Sequence, residues 1–271
     1  MKLLAIRRDA IFSPNSIEKD RIILQQVMDG LGTSVRMIDE TLFSAAEDAD
    51  VYVSMARHKR TLELLKAKED NGALVINSAY GVERCERSLL DIALREQGIP
   101  VPNLEGSDGY WLKRGDMSAQ HKGDVVYCKD RAELAEQQAS FVLRGITNWI
   151  VQAHVPGDLV KFYAVQGGFF RYFYPNDDGI SKFGDEEMNG KAQHYGFDVA
   201  GLQATAEAIA MLTGVEVYGG DAIITASGAF YIIDFNDWPS FSRCRDEASE
   251  AIVKRIKNKI NKRVKASTCR R

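Results

Sequence analysis

The chain is poor in cysteine: four in 271 residues, at Cys85, Cys128, Cys244 and Cys269, with no two at CxxC spacing. That scatter argues against a zinc ribbon and against a disulfide framework, and makes a reducing, cytoplasmic setting the default expectation. No apolar run approaches the roughly 20 residues that span a bilayer. The opening Met1–Arg8 carries only a short apolar segment before its charges, which predicts a first β-strand rather than a signal peptide. Nothing fits GxxxxGK[ST], and no GxGxxG follows that strand, so the P-loop and dinucleotide-fold routes to nucleotide binding are excluded. Internal repeats and low-complexity stretches are absent as well.

What is present is unevenly charged. Residues 254–271 hold nine Lys or Arg and no acid, leaving −12 for the rest of a chain whose net charge is −3. Such a segment can meet nucleic acid or an acidic partner. However, Ala248, Ala251, Ile252, Ile256, Ile260 and Val264 recur through it at helical spacing. The pattern therefore predicts an amphipathic C-terminal helix with a solvated basic face. No aromatic platform or recognition motif raises the nucleic-acid alternative.

Residues 1–103 alternate strand and helix signals. Strands are expected at 2–7, 34–38, 51–55 and 73–77, and helices at 16–31, 61–68 and 82–97, the first entered through Ser13-Pro14-Asn15-Ser16 with its cap residues and early proline. This β-α-β series implies a parallel sheet with helices on its faces. Ile99-Pro100-Val101-Pro102-Asn103 breaks the pattern, which places a domain boundary there. A lid-like unit over 104–155 follows: strand 110–113, a polar loop 114–124, strand 125–128, helix 131–144 and strand 149–154. The remainder, 156–271, reads as strands 159–165 and 169–174, a helix at 202–212, a hairpin and the basic helix. The fold class is α/β (α+β), a parallel N-terminal domain followed by a lid and an antiparallel sheet.

The hairpin is the most informative segment. Ala222–Ile224 and Phe230–Ile233 are apolar runs around Ser227-Gly228, a candidate two-residue turn. With that turn, opposed residues have numbers summing to 455, which sets Asp221 against Asp234, side chains on one face. A four-residue loop preserves the pairing and a three-residue loop breaks it. Asn236 lies two residues on, on the same side. Two carboxylates and an amide oxygen suit Mg²⁺ (or Mn²⁺) when phosphates complete its shell; an edge hairpin with acidic ends is the plainer alternative.

Other candidates surround it. Lys113 and Lys161 sit on expected strands and can contact phosphates, and the loop with Gly115, Ser118 and Gly123 can offer backbone N–H groups. In the hinge Val151–Asp158, Asp158 can accept ribose hydroxyls, and the backbone of Ala153, His154 and Val155, beside Gln152, can read an adenine edge. Ligands of open α/β sheets bind beyond the carboxyl ends of the strands. There stand Arg8, Arg57, His58, Lys59 and Asn77, near the expected N-terminus of the first helix. That grouping suits a small anionic acceptor, although basic residues at strand ends are also common on ordinary surfaces.

In this order the pieces resemble the ATP-grasp superfamily over most of the chain: Lys113, the glycine-containing loop, the hinge, Gly157-Asp158-Leu159-Val160-Lys161-Phe162-Tyr163, and Asp221 upstream of Asp234-Phe235-Asn236. The resemblance implies ATP clamped between two antiparallel sheets, Mg²⁺ at Asp221, Asp234 and Asn236, and γ-phosphoryl transfer to an acceptor oxygen, with positioning and charge neutralisation supplying the catalysis. Two departures stand out. The hinge has Gln152-Ala153 where many members have Gln-Glu. Asp234 replaces a common Glu, and Asp-x-Asn looks like the inositol-polyphosphate kinase branch. The resemblance leads to an acyl-phosphate-forming carboxylate–amine ligase, with a small-molecule kinase second and a nucleotide-binding protein without turnover third. Arg243 and Arg171 are the candidates for stabilising developing charge. The oligomeric state is not legible.

Overall fold

The structure is a computed structural model that describes residues 1–32, 36–116, 121–177 and 188–268. Its first sheet is parallel, in the order β2-β1-β3-β4, from β1 (Leu3–Arg7), β2 (Arg36–Asp39), β3 (Val51–Ser54) and β4 (Leu74–Ile76). Leu4–Ile6, all of β3 and all of β4 are buried, as expected of a parallel sheet covered on both faces. The covering helices are α1 (Ile17–Leu31), α2 (Lys59–Asp70), α3 (Ala79–Arg84) and α4 (Arg87–Glu96). Ser16 takes the N-cap position of α1, but its hydroxyl makes no capping bond. The single helix expected over 82–97 is two. Turn bonds from Cys85 N to Val82 O and Glu86 N to Glu83 O end α3. The new N-terminus of α4 then finds a partner outside the helix, Ser88 N donating to Gly115 O.

A small antiparallel sheet, β6-β5-β7, forms the lid from β5 (Tyr110–Arg114), β6 (Val125–Cys128) and β7 (Trp149–Ala153). Tyr110 and Leu112 point inward to pack with Leu134 and Phe141 of α5 (Arg131–Leu143). Alternation along the strand therefore sends Trp111 and Lys113 to the other face. The third sheet, β11-β10-β8-β9, is antiparallel: β8 (Asp158–Val165), β9 (Phe169–Phe173), β10 (Val217–Ile224) and β11 (Phe230–Asp237). Val160, Phe162 and Ala164 bury one face of β8 against Leu202, Ala206, Ile209 and Ala210 of α6 (Val199–Thr213). Lys161 and Tyr163 are left on the opposite face.

The hairpin reaches the expected pairing by an unexpected route. Thr225 N donates to Ala229 O, so the loop is three residues, 226–228, with Gly228 at φ +82° in the left-handed position such loops require. Near the loop, pairs such as Ile224–Phe230 and Ala222–Ile232 are offset by one from the two-residue-turn register. A β-bulge follows: Ile233 has no cross-strand partner, and beyond it Asp221 faces Asp234. Loop and bulge cancel. On the other side of β10, Asp221 faces Lys161. Lys161, Asp221 and Asp234 thus form one row across three strands.

Two features join the layers. The last helix, α7 (Arg245–Thr268), buries Ala248, Ile252 and Ile256 with Ile23, Leu24, Val27 and Met28 of α1 and with Trp238 and Phe241. Its basic face is solvated over Lys254, Lys257, Lys262, Arg263 and Lys265, while Arg255 and Lys259 pair with Glu216 and Lys257 donates to Gly30 O. The break at 99–103 is stitched into both antiparallel sheets, Pro100 O accepting from Ile232 N and Asn103 O from Ala153 N.

Asn77, expected among substrate groups, is a clamp between layers. Its side chain is 1% exposed. It donates to Val217 O at 2.7 Å and accepts from Glu216 N and Val217 N at 2.9 Å each. Asn77→Ala removes the acceptor of the buried Glu216 and Val217 N–H groups, and denaturant unfolding should show a loss of about 2–4 kcal/mol.

Candidate functional site

Sheet 3 and the lid face each other across a cleft of about 560 Å³ that opens at its far end onto the carboxyl ends of the first sheet. Lys113, Gln152, Ala153, His154, Val155, Lys161, Asp221, Asp234, Asn236, Arg8, Arg57 and Arg243 all line it. The cleft therefore gathers most of the residues singled out from the sequence.

At its centre lies the carboxylate row. Lys161 Nζ sits 3.0 and 3.1 Å from the two oxygens of Asp221. Asn236 Nδ2 donates to Asp234 Oδ2 at 2.8 Å, and the Arg87 guanidinium stands 3.7 Å from Asp234 Oδ1. Burial alone would raise the Asp234 pKa. The charges of Arg87, Lys113 and Lys161, with the Asn236 amide, outweigh it and hold the carboxyl below its ordinary range. Asp234 is ionised at neutral pH beside a second carboxylate and an amide oxygen. This is a hard-oxygen donor set, and it fits Mg²⁺ or Mn²⁺.

Lys113 crosses from the lid to sheet 3. Its Nζ donates to Gln152 Oε1 at 2.8 Å and to Ile233 O at 2.8 Å. Ile233 is the bulge residue, so the irregularity that restores the register also supplies the carbonyl that aims this lysine. Gln152 is fixed in turn by Asp91, at 3.0 Å. Burial depresses the Lys113 pKa to about 8, the Asp234 charge opposing the shift and Arg87 adding to it.

At the hinge, the Ala153 and His154 N–H groups already donate to Asn103 O and Gly109 O, so neither is available to a base. The Val155 carbonyl faces Asn189 Nδ2 at 3.4 Å. Trp111 Nε1 donates to His154 Nδ1 at 3.1 Å, and the two rings sit with Tyr127 in one aromatic cluster. Burial lowers the His154 pKa, keeping the imidazole neutral and this wall of the cleft uncharged.

Four expected residues stand elsewhere. Asp158 is 3% exposed, and its two oxygens accept from Gln193 N at 2.7 Å and Tyr195 N at 2.9 Å. It pins the segment before α6 and offers no oxygen to a ribose. Arg171 leaves the cleft to pair with Glu247 on the surface. Lys59 opens α2 in solvent. His58 turns from the cleft, its Nε2 2.8 Å from Asp9 and its ring against Phe12. Ser118 lies outside the described residues.

Arg8 and Arg57 do border the cleft, but they carry loads of their own. Arg8 donates to Trp238 O at 2.7 Å and to Met55 O at 3.3 Å, and lies 3.6 and 3.7 Å from Asp20 and Asp237. Arg57 meets Asp237 Oδ1 at 2.6 Å and the Asp237 carbonyl at 3.0 Å. The charge of Asp237 raises the Arg57 pKa against the effect of burial. Arg243 lies over the Phe173 ring, 5.5 Å from its centroid.

Sequence reasoning missed Arg87, Trp111, Asp20 and Asp237. Asp237 adjoins Asn236 and was within sight. Arg87 becomes a cleft residue only because the helix expected over 82–97 breaks just before it, and nothing in its neighbours signals that break.

No protein-family model matches the chain, and no curated protein matches it in sequence. Solved structures do. The chain is similar to a D-alanine–D-alanine ligase from Bacillus anthracis complexed with ATP, at 12% identity and TM-score 0.65, covering 98% of this chain and 99% of that one. It is similar to a RimK domain protein ATP-grasp from Sphaerobacter thermophilus, at 15% identity and TM-score 0.63, covering 94% and 98%. The D-cycloserine synthetase DcsG matches at 15% identity and TM-score 0.64, covering 93% and 99%.

A lysine with a pKa near 8 should make phosphate binding fall early in the alkaline range. Between pH 7 and pH 9 the charged fraction of Lys113 drops about tenfold, where an ordinary lysine stays charged. Affinity for a non-hydrolysable ATP analogue, titrated across that range, should weaken about as much, and Lys113→Arg should flatten the profile.

Proposed function

We propose that this chain, which has the ATP-grasp fold, is a carboxylate–amine ligase that forms an acyl phosphate at the expense of ATP. Whole-length likeness to ATP-grasp ligases supports the class. The observation that favours a ligase over a kinase of polyphosphorylated substrates is the internal pairing of the two arginines that follow strands of the first sheet. Arg8 and Arg57 are matched there by Asp20, Asp237 and three backbone carbonyls. Two arginines already neutralised inside the chain are a poor receptor for several phosphates.

In this reading the purine lies against the hinge, with Trp111, His154 and Val155 as its wall. Lys113 and Lys161, reaching from the facing sheets, hold the phosphates. Asp221, Asp234 and Asn236 would hold Mg²⁺ or Mn²⁺, which would supply charge neutralisation for the phosphates. Lys113 leaves Ile233 O and Gln152 to meet a phosphate oxygen, and gains charge in doing so. Arg243, at the acceptor end of the lining, stabilises the oxyanion of the accepting carboxylate. The lid excludes water, protecting the acyl phosphate from hydrolysis until the amine attacks.

Hydroxylamine offered with ATP, Mg²⁺ and a pool of carboxylic acids and amino acids should yield a hydroxamate, detected by its ferric complex and by mass spectrometry. A stable phosphorylated product without hydroxamate would establish the kinase instead. Asp234→Asn should lower turnover by about 100-fold or more and keep the far-UV circular dichroism of the parent. Full activity in that variant would remove the metal assignment.

A further inference from the structure

His154 lines the cleft with one ring nitrogen committed and the other open. Trp111 Nε1 donates to His154 Nδ1 at 3.1 Å. An indole nitrogen can only donate, so Nδ1 is the acceptor and the neutral imidazole carries its proton on Nε2. Burial, which outweighs the charge of Asp108, keeps the ring neutral. Nε2 makes no hydrogen bond among the described residues, and it is not buried. The ring itself is fixed: Tyr127 meets it edge-on with centroids 5.6 Å apart, and Tyr127 is tied in turn to Asp108 O at 2.9 Å. Other polar groups of this wall are already engaged. Gln152, two residues back on the same side, accepts from Lys113 and donates to Asp91. The Ala153 and His154 N–H groups donate to Asn103 O and Gly109 O. Over residues 152–155 the donors left without a partner among the described residues are the Val155 N–H and His154 Nε2–H.

We infer that His154 reads the nucleotide base: its Nε2–H donates to an unprotonated ring nitrogen of the purine, and Trp111 holds the imidazole in the tautomer that can donate. This rests on the ATP-site reading of the cleft. Adenine presents unprotonated ring nitrogens at N1, N3 and N7, and a single backbone N–H can serve only one of them. A neutral donor set among aromatic rings suits a flat, uncharged heterocycle; the phosphates are left to Lys113 and Lys161. The opposite tautomer would turn a lone pair of Nε2 toward the base, so the Trp111 bond decides whether the contact attracts or repels. Trp111 is therefore a positioning residue, acting through His154. A site that offers a directed donor discriminates against a base lacking the matching acceptor, because the donor is then left unpaired.

The test pairs one-atom changes in the ligand with one-residue changes in the chain. The full chain with Mg²⁺ is titrated calorimetrically with ADP and with its 1-, 3- and 7-deaza forms, in each of which a CH group replaces one ring nitrogen. One of these should bind the parent about tenfold more weakly than ADP, and in His154→Phe that deficit should shrink to about twofold or less. Trp111→Phe should shrink it as well. Nitrogen NMR of the histidine-labelled chain should show His154 Nδ1 unprotonated in the parent and a mixture of tautomers in Trp111→Phe, a change that a purely structural tryptophan would not cause. ADP bound with no deaza form impaired, a deficit that persists unchanged in His154→Phe, or a protonated Nδ1 in the neutral parent ring would each overturn the inference. The second of these outcomes would assign the contact to the Val155 N–H or to Lys113. Failure of the folded parent to bind ADP or any of the deaza forms would instead refute the ATP-site reading, and the role of His154 with it. Should His154→Phe unfold, the parent decides alone: its His154 Nε2–H resonance should shift on adding ADP and stay in place on adding the impaired deaza form.

Discussion

The last residue of β11, Asp237, is gripped by two arginines that follow strands of a different sheet, and the geometry of the cleft depends on that grip. Arg8 follows β1 and Arg57 follows β3, and both reach Asp237 or the carbonyl beside it. The chain turns sharply there. Trp238, fully buried, adopts φ +34°, a conformation that costs a bulky residue free energy. Arg8 on the Trp238 carbonyl and Val217 O on its N–H hold the turn in place. Asn236 and Asp234 stand one and three residues before this anchor. The first sheet and the carboxylate face of the third are consequently set against one another by buried charge. An ion pair broken on one side would leave the other unpaired, which is why such contacts specify geometry more than they add stability.

Opposite charges meet along the cleft, whose lining holds seven Lys or Arg and four Asp. Three of these cations are positioned by acceptors that the fold supplies: Gln152 and Ile233 for Lys113, Asp221 for Lys161, Asp237 for Arg57. Pre-organisation of this kind costs no rearrangement when charge develops on a substrate.

Much of this was legible in the chain. Alternating apolar residues located the strands, and the two-residue period with an assumed two-residue turn put Asp221, Asp234 and Asn236 on one face, a pairing that survives because the three-residue loop and the bulge cancel. The failures share a cause. Asn77 and Asp158 are polar residues at places where ligands bind, and the sequence does not say whether neighbouring backbone has consumed their hydrogen bonds. Arg171 alternates correctly along β9, yet its partner is Glu247, seventy-six residues away. Arg87 depended on a helix break that propensity does not encode, and the Ser88 N–H freed by it is satisfied by Gly115 O, a carbonyl in the lid. Local pattern reports direction, whereas the choice of partner is a tertiary fact.

The bulge at Ile233 ties together two things that usually vary independently. Turn length in a hairpin is ordinarily free to drift, because a residue gained or lost at the tip slides one strand past the other. Here a slide of one position would turn Asp234 to the far side of the sheet and carry away the carbonyl under Lys113 in the same movement. The three-residue turn and the extra residue at Ile233 therefore form a matched pair. A hairpin of this kind can change its tip only by changing its bulge, much as a vernier keeps its reading only when both scales move.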